Sequence, residues 1–595
     1  MKNLNRLFVS VVTLAFIASS AFADDFDGFG DFGSFDGDSS VPKLETNGSI
    51  STDIRAYTDA DTLDEVELKA SPSARIDMKY SGNKSDIELK LNVDDDKTND
   101  VIDELVVRGY FGNLVLEAGK MKTVRGKGDK LHVTDNFNAD DYSDFIIPDY
   151  IDRRISTPML RGVYSFPVAN IQLEGVYTPF LPVDRFAASG RWTPAQVSAL
   201  SEKVTSIAEG KLAESYTRYT KASVTAGTLK TLGAEYQAAA TAYETVLLNA
   251  AASQTVAASG GNWNAMTDEQ KAAFIEANKT ALSAGAAANK TALEAGLRTS
   301  GYGYYIDNLA VAEKTYFAAC TETGFTAETI DAELTAAGTE YMYCLANANA
   351  LSANANVIYP DMMTLKYGQF GGRLTATLGQ VDLGVSYYNG WYKQPSINAD
   401  KMNSFVESYL KDGSVTEDEK FLAYDKKQTF GIEASSVIWH FNVRGEAAYN
   451  LTEDTDGTNP YVHNNSAAWL AGFDIDLPFW NANLTVQETG TYILHGEECN
   501  KSTLDVDYSE NAYTNNKVVC NFTTSFANDK IAPEVTVLYG IENGDLVILP
   551  KVSVKPDQNL TLSASGMYIW CKDSNSEFVA WKDNSFVTLG AEYRF

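Results

Sequence analysis

From residue 47 onward the chain alternates apolar and polar side chains, and the alternation restarts after each interruption. In "VELKASPSARIDMKY", Val66, Leu68, Ala70, Pro72, Ala74, Ile76, Met78 and Tyr80 share one side. Glu67, Lys69, Ser71, Ser73, Arg75, Asp77 and Lys79 share the other. A period of two is the signature of a strand with unlike faces. After "SGNK" the pattern resumes with Ile87, Leu89, Leu91 and Val93 against Glu88, Lys90 and Asn92, so Ser81-Gly82-Asn83 reads as a hairpin turn. The same rule places strands at Ile171–Tyr177, Val381–Tyr388 and Phe441–Tyr449. About eighteen strands (16–18) are expected in all.

The connections alternate as well. Short ones fall near Ser81, Gly112, Pro167, Gly379, Trp439, Pro478, Asn528 and Pro556. Long ones fall at 59–64, 95–102, 123–158, 179–363, 394–426, 451–465, 495–515 and 572–584. Only Glu542-Asn543-Gly544 is short where the scheme expects length. Tight turns at one end and long loops at the other are the layout of a transmembrane β-barrel. The strand lengths suit one too, since a tilted strand needs ~9–11 residues to cross hydrocarbon. The chain ends in "FVTLGAEYRF", with Val587, Leu589, Ala591, Tyr593 and Phe595 on one face. Hydrocarbon cannot satisfy an open sheet edge, so this last strand is expected to pair with the first. The expected fold is therefore an all-β transmembrane barrel, a closed antiparallel meander. An even strand count puts both termini on the short-turn side, the periplasm.

Residues 192–357 break the alternation. Thr193-Pro194 reads as a helix start, and Ala-rich stretches such as "LGAEYQAAATAYETVLLNAAA" follow. Thr267 and Gln270 form a capping-box pattern. Two or three helical hairpins are expected here, inserted in the fourth outer loop. Stripes such as Leu232, Tyr236, Tyr243 and Leu247 suggest helices packed on one another. Gating of a pore, binding of a partner and a self-contained bundle all fit this insertion.

The N-terminus reads as a secretory signal, residues 1–23. Lys2 and Arg6 precede an apolar run, and Ala21-Phe22-Ala23 is a cleavage site after Ala23. Residues 24–46 are acidic and rich in Phe and Gly, a flexible periplasmic tail. The barrel is then expected over 47–191 and 358–595. The formal net charge of −31 argues against nucleic acid as a partner. Export permits disulfides, and Cys320–Cys344 and Cys499–Cys520 are candidate pairs among five cysteines, with free thiols as the alternative.

With signal, loop alternation and terminus in place, the sequence resembles the outer-membrane β-barrel proteins of double-membraned bacteria. "GVYTPFLPVDRF" and "TLKYGQFGGRLTATLG" look like a porin-like family. The resemblance implies that the terminal strand, through Leu589, Tyr593 and Phe595, is the insertion signal read by the barrel-assembly machinery. It also implies that a long loop folds into the bore as a constriction. Loop 123–158 is the candidate, with Arg153 and Arg154 facing acidic residues such as Asp140 and Asp141.

No enzyme signature is present: no GxSxG, HExxH, P-loop or zinc spacing. His132, His440, His463 and His495 fall in loops, at loop ends or at a turn, with no nucleophile motif beside them. No catalytic residue, cofactor or metal is expected. The charged residues of interest point inward by alternation: Arg75, Lys79, Arg108, Glu174, Arg373, Arg444, Glu446 and Arg594. A barrel of this size has a bore wide enough for water. Opposed charges on its wall set ion preference and orient polar solutes; the plainer alternative is that they solvate the wall and pair with one another. The expected function is a porin-like channel for passive diffusion of small polar solutes or ions, lodged in outer-membrane lipid. The rival is a surface structural protein or adhesin anchored by its barrel. Solute and oligomeric state are left open.

Overall fold

The computed structural model describes residues 43–94, 101–129, 131–144, 153–459, 461–495, 514–574 and 576–595. The cleavage site at Ala23, most of the acidic tail and Cys499 lie outside the described residues.

Eighteen strands form one sheet. The first six are β1 (Lys43–Tyr57), β2 (Leu68–Ser81), β3 (Ser85–Asp94), β4 (Ile102–Phe111), β5 (Leu114–Met121) and β6 (Thr157–Phe166). Next come β7 (Ile171–Thr178), β8 (Gln369–Leu378), β9 (Val381–Trp391), β10 (Lys426–Ile438), β11 (Phe441–Thr452) and β12 (Ser466–Asp476). The last are β13 (Asn483–Ile493), β14 (Thr514–Thr523), β15 (Ile531–Gly540), β16 (Leu546–Val554), β17 (Leu560–Trp570) and β18 (Phe586–Arg594). Each pairs antiparallel with the next, and β18 returns to β1 in the register Ser49↔Arg594 through Tyr57↔Phe586. The meander is closed. The expected tail boundary moves, because Lys43–Thr46 already pair with Met78–Ser81 of β2.

All eight expected short turns fall between strands on one rim, where β1 also begins and β18 ends. The β15–β16 connection is the one short link on the opposite rim. Side chains sort by alternation. Leu116, Leu160, Leu173, Phe370, Val385, Ile432 and Leu589 are exposed on the outer face, whereas Glu117, Glu174, Glu433, Glu446 and Gln487 are buried within. This is the inverse of a water-soluble protein, where charge is outside and apolar surface within. Glu488 interrupts the apolar skin: it stands mid-strand on the outer face of β13, bonded by the indole N–H of Trp469 at 3.2 Å. Near the strand ends, Trp439, Phe479, Trp480, Tyr568 and Trp570 are exposed, as aromatic side chains at a membrane interface are. Trp391, at the end of β9, is instead buried with Leu181, Tyr367 and Tyr424.

A second compact unit comprises residues 203–357 and 401–419. Its helices are α1 (Ala195–Ala258), α2 (Asp268–Ala288), α3 (Lys290–Thr299), α4 (Tyr304–Thr323), α5 (Ile330–Ala353) and α6 (Ala399–Asp412). One arm of the expected hairpins is a single 64-residue helix, on which the shorter ones pack. Tyr243, Leu247 and Ala251 of α1 meet Leu282, Leu293 and Leu297 of α2 and α3, and Leu229 meets Ile330 of α5. The run has no Pro to break it, and Gly210, Gly227 and Gly233 are carried inside the helix. Helix α1 starts one residue later than expected: the Pro194 carbonyl accepts from Val197 and Ser198, and the Thr193 hydroxyl donates back to Gly190. The capping box of Thr267 and Gln270 is present. Helix α6 was not anticipated, although Met402, Phe405, Val406, Tyr409 and Leu410 are its buried face at helical spacing. Cys320, Cys344, Cys520 and Cys571 are free thiols. The Cys320–Cys344 pair is thus not made: Cys320 packs beside the Leu229–Ile330 contact, while Cys344 is buried elsewhere along α5. Cys520 is free on β14, and its suggested partner Cys499 is among the residues not described.

Candidate functional site

The wall of the bore carries a ladder of ion pairs that steps from strand to strand. Lys90 on β3 meets Glu104 on β4 at 2.7 Å. Arg108 on β4 bridges Glu88 and Glu117, each at 2.6 Å. Arg161 on β6 bridges Glu117 at 2.6 Å and Glu174 at 3.2 Å. Arg373 on β8 stands in register with Glu174 and is bonded to Glu433 on β10. Most rungs arise because inward positions on neighbouring strands lie opposite or diagonal to one another, and opposite charges so placed attract; Arg373 reaches Glu433 past β9, where Gly384 in register with Glu433 has no side chain.

The β5–β6 connection leaves the loop rim at Met121 and turns into the bore. Its partners are inward side chains of distant strands. Arg125 reaches Glu174 of β7 at 3.1 Å and lies over the Phe137 ring. Lys127 reaches Asp382, at the short-turn end of β9, at 3.5 Å. Asp129 is bonded to Arg444 of β11, and its N–H donates to Gln487 of β13 at 3.1 Å. Asp144 is gripped by Arg55 of β1 at 2.8 Å. A segment touching β1, β7, β9, β11 and β13 from within crosses the bore.

Glu446, on the inner face of β11, is the loop's main anchor. Its Oε1 accepts from the N–H groups of Lys127 at 2.6 Å and Gly128 at 2.8 Å. Its Oε2 accepts from Val133 N at 3.0 Å, Thr134 N at 3.3 Å and the Thr134 hydroxyl at 3.0 Å. His132 Nδ1 lies 3.2 Å from Oε1.

The residues expected from sequence divide three ways. Arg108, Glu174 and Arg373 join the ladder, and Arg444 and Glu446 hold the inward loop. Arg75, Lys79 and Arg594 lie elsewhere on the wall: Arg75 in mid-β2 is paired with Asp77 at 3.2 Å, Arg594 at the end of β18 with Glu592 at 2.8 Å, and Lys79 near the short turn stands in register with Glu45. Arg153 and Arg154 bind within the loop rather than to the wall. Arg153 is 3.6 Å from Asp140; Arg154 pairs with Asp135 at 2.9 Å, and Asp141 takes Arg185 at 3.0 Å. Sequence reading missed Arg125, Glu117, Arg161 and Glu433. The last three occupy polar positions of the same alternation that identified Arg108 and Arg373.

Around the loop's return, charges are packed closely enough to perturb one another. Burial pushes the Asp184 carboxyl up to about 6; the Asp140 N–H bonded to it opposes this, and the Asp140 charge adds to it. Burial, together with Lys427, holds the Lys393 ammonium well below its ordinary value. Burial also lowers Arg125, against the attraction of Glu174.

No protein-family model matches the chain, and no curated protein is similar to it in sequence. Among solved structures it is similar to OccAB3 of Acinetobacter baumannii, at 8% identity over 93% of this chain and 99% of that one, TM-score 0.37. A BenF-like porin from Pseudomonas fluorescens matches at 7% identity over 93% of this chain and 98% of that one, TM-score 0.36. A Rh. blastica porin matches at 9% identity over 93% of this chain and 100% of that one, TM-score 0.30. Likenesses of this size carry no functional weight, and the closed barrel stands on the pairing of the chain's own strands.

Proposed function

We propose that this chain is a porin-like channel of the bacterial outer membrane, through which small polar solutes or ions diffuse passively. The observation that carries this reading is the inverted barrel: an apolar outer face around a bore lined by charge. An apolar skin suits acyl chains, and fixed charges on a water-filled wall suit polar solutes. The start of β1 and the end of β18 on the short-turn rim support periplasmic termini. They also support insertion through the barrel-assembly machinery, with Leu589, Tyr593 and Phe595 exposed for recognition. No catalytic step or cofactor enters this reading. Full-length protein in a planar bilayer is expected to give stepwise conductance that persists without any energy source. Folded, inserted protein that passes no current would overturn the channel. The helical unit of residues 203–357 and 401–419 favours a second reading, a surface or adhesive protein with the barrel as anchor, which that same result would leave standing.

Glu488 tests the lipid environment separately. A carboxyl on the hydrocarbon-facing side of a barrel is unfavourable. Glu488→Leu is therefore expected to stabilise the barrel in bilayers by about 1–2 kcal/mol in urea unfolding. A lower unfolding midpoint would instead mean that the Trp469 hydrogen bond outweighs the cost of the carboxyl.

A further inference from the structure

The deepest part of the inward loop reads "RGKGD", Arg125 to Asp129. Its two glycines make room for one carboxylate. Gly126 has φ +105°, a left-handed conformation that other residues rarely adopt. A Cβ there would sit 2.3 Å from Glu446 Oε1. At Gly128 a Cβ would sit 2.1 Å from the Leu131 carbonyl oxygen. The backbone can therefore turn its N–H groups onto Glu446 only because both positions lack side chains. The carboxylate is in turn suited to them, since it accepts on both oxygens and donates on neither. Four backbone N–H groups and one hydroxyl converge on it, so both oxygens are fully engaged.

We infer that Glu446 is a positioning residue which clamps residues 126–129 and 131–134 across the bore and thereby sets the width of the passage. The width rests on the channel reading; the clamp rests on the hydrogen bonds alone. The contacts of Arg125 to Glu174, Lys127 to Asp382, Asp129 to Arg444 and Gln487, and Leu131 to Gln487 hold single points of the loop, whereas Glu446 binds both of its limbs at once, at Lys127–Gly128 and at Val133–Thr134. The clamp needs an acceptor-only group. In Glu446→Gln the amide nitrogen would face N–H donors on one side, so this near-isosteric change should fail almost as fully as Glu446→Ala. Glu446→Asp keeps both acceptor oxygens on a stem one methylene shorter and should recover part of the grip. Gly126→Ala should break the clamp from the loop side.

Two measurements on the full-length folded chain test this. The first is trypsin cleavage after Arg125 and Lys127, mapped by mass spectrometry on barrels that still shift with heating on gels. Arg125 is buried in the native protein, and release of the loop is expected to speed cleavage at least about tenfold in the Ala, Gln and Gly126 variants. The second is single-channel conductance, expected to rise about twofold in Glu446→Ala, with partial return in Glu446→Asp. Equal protection of the loop in wild type, Glu446→Ala and Gly126→Ala would overturn the clamp, whether or not the protein conducts. Loop release with unchanged current would overturn its control of the passage. Absence of current in every variant, wild type included, would count against the channel reading and against any passage for the clamp to set.

Discussion

A chain lacking its last strand, with Phe586–Phe595 deleted, is expected to yield no heat-modifiable barrel in detergent or in vesicles. Strand β18 pairs with β1 over nine positions and with β17 over eight. Its removal strips both neighbours of their partners and opens the sheet. In lipid no water replaces those hydrogen bonds, and each unsatisfied backbone group costs several kcal/mol. The loss is far beyond the ~5–15 kcal/mol that a folded protein has in hand. The final residue takes part as well. Phe595 exchanges backbone hydrogen bonds with Gly48, each at 3.0 Å, and its ring lies where a Cβ on Gly48 would be 2.5 Å from Cζ. Phe595→Ala keeps those backbone bonds and should leave the barrel folded but easier to unfold. A truncated chain that still migrates as a compact, heat-sensitive band would contradict the closing role of β18.

The second large effect is expected at Gly119. This residue lies in β5 opposite Val106 with φ +144°, and a Cβ would fall 1.9 Å from the carbonyl oxygen of Leu105. No rotamer relieves a clash between Cβ and backbone, so β4 and β5 would have to part. Gly119→Val is expected to cost several kcal/mol through backbone strain and lost ladder bonds. Met121, two residues on, is buried among Phe137, Met159, Val176 and Tyr388, where the chain enters the bore. The variant should therefore also loosen the inward loop. Folding yield on heat-shift gels checks the first effect, and trypsin cleavage after Arg125 checks the second. Wild-type yield and protection in Gly119→Val would show that the strand edge can relax around a side chain.

The barrel and the candidate site were legible in the sequence to different depths. Strands such as Ile171–Thr178 and Val381–Trp391 declare themselves because alternation is a local property, written into every second residue. The same alternation separates wall from skin, which is why Arg108, Glu174, Arg373, Arg444 and Glu446 could be picked out. It does not say which inward charges meet. Arg161 was as visible as Arg108, but its place between Glu117 and Glu174 depends on the register of three strands. Helix α6 carries its own periodic stripe, but in a 14-residue stretch inside a long loop that stripe is short beside the strands that frame it. Among the helices, the sequence did not show how long the first arm of the expected hairpins would be, since no Pro marks an end within the 64 residues of α1.

What the sequence alone determined, then, is the closed meander: strand number, rim of each connection, the face of every strand and the terminal strand's closing role. These follow from the two-residue period and from the need to leave no backbone edge unpaired. What only the tertiary structure decided is where the long loops go. Lys127 and Glu446 are 319 residues apart, and no local pattern links them. Their contact exists because closure of the cylinder brings β11 across from the end of β5, and because two glycines let the backbone meet a carboxylate waiting on the far wall.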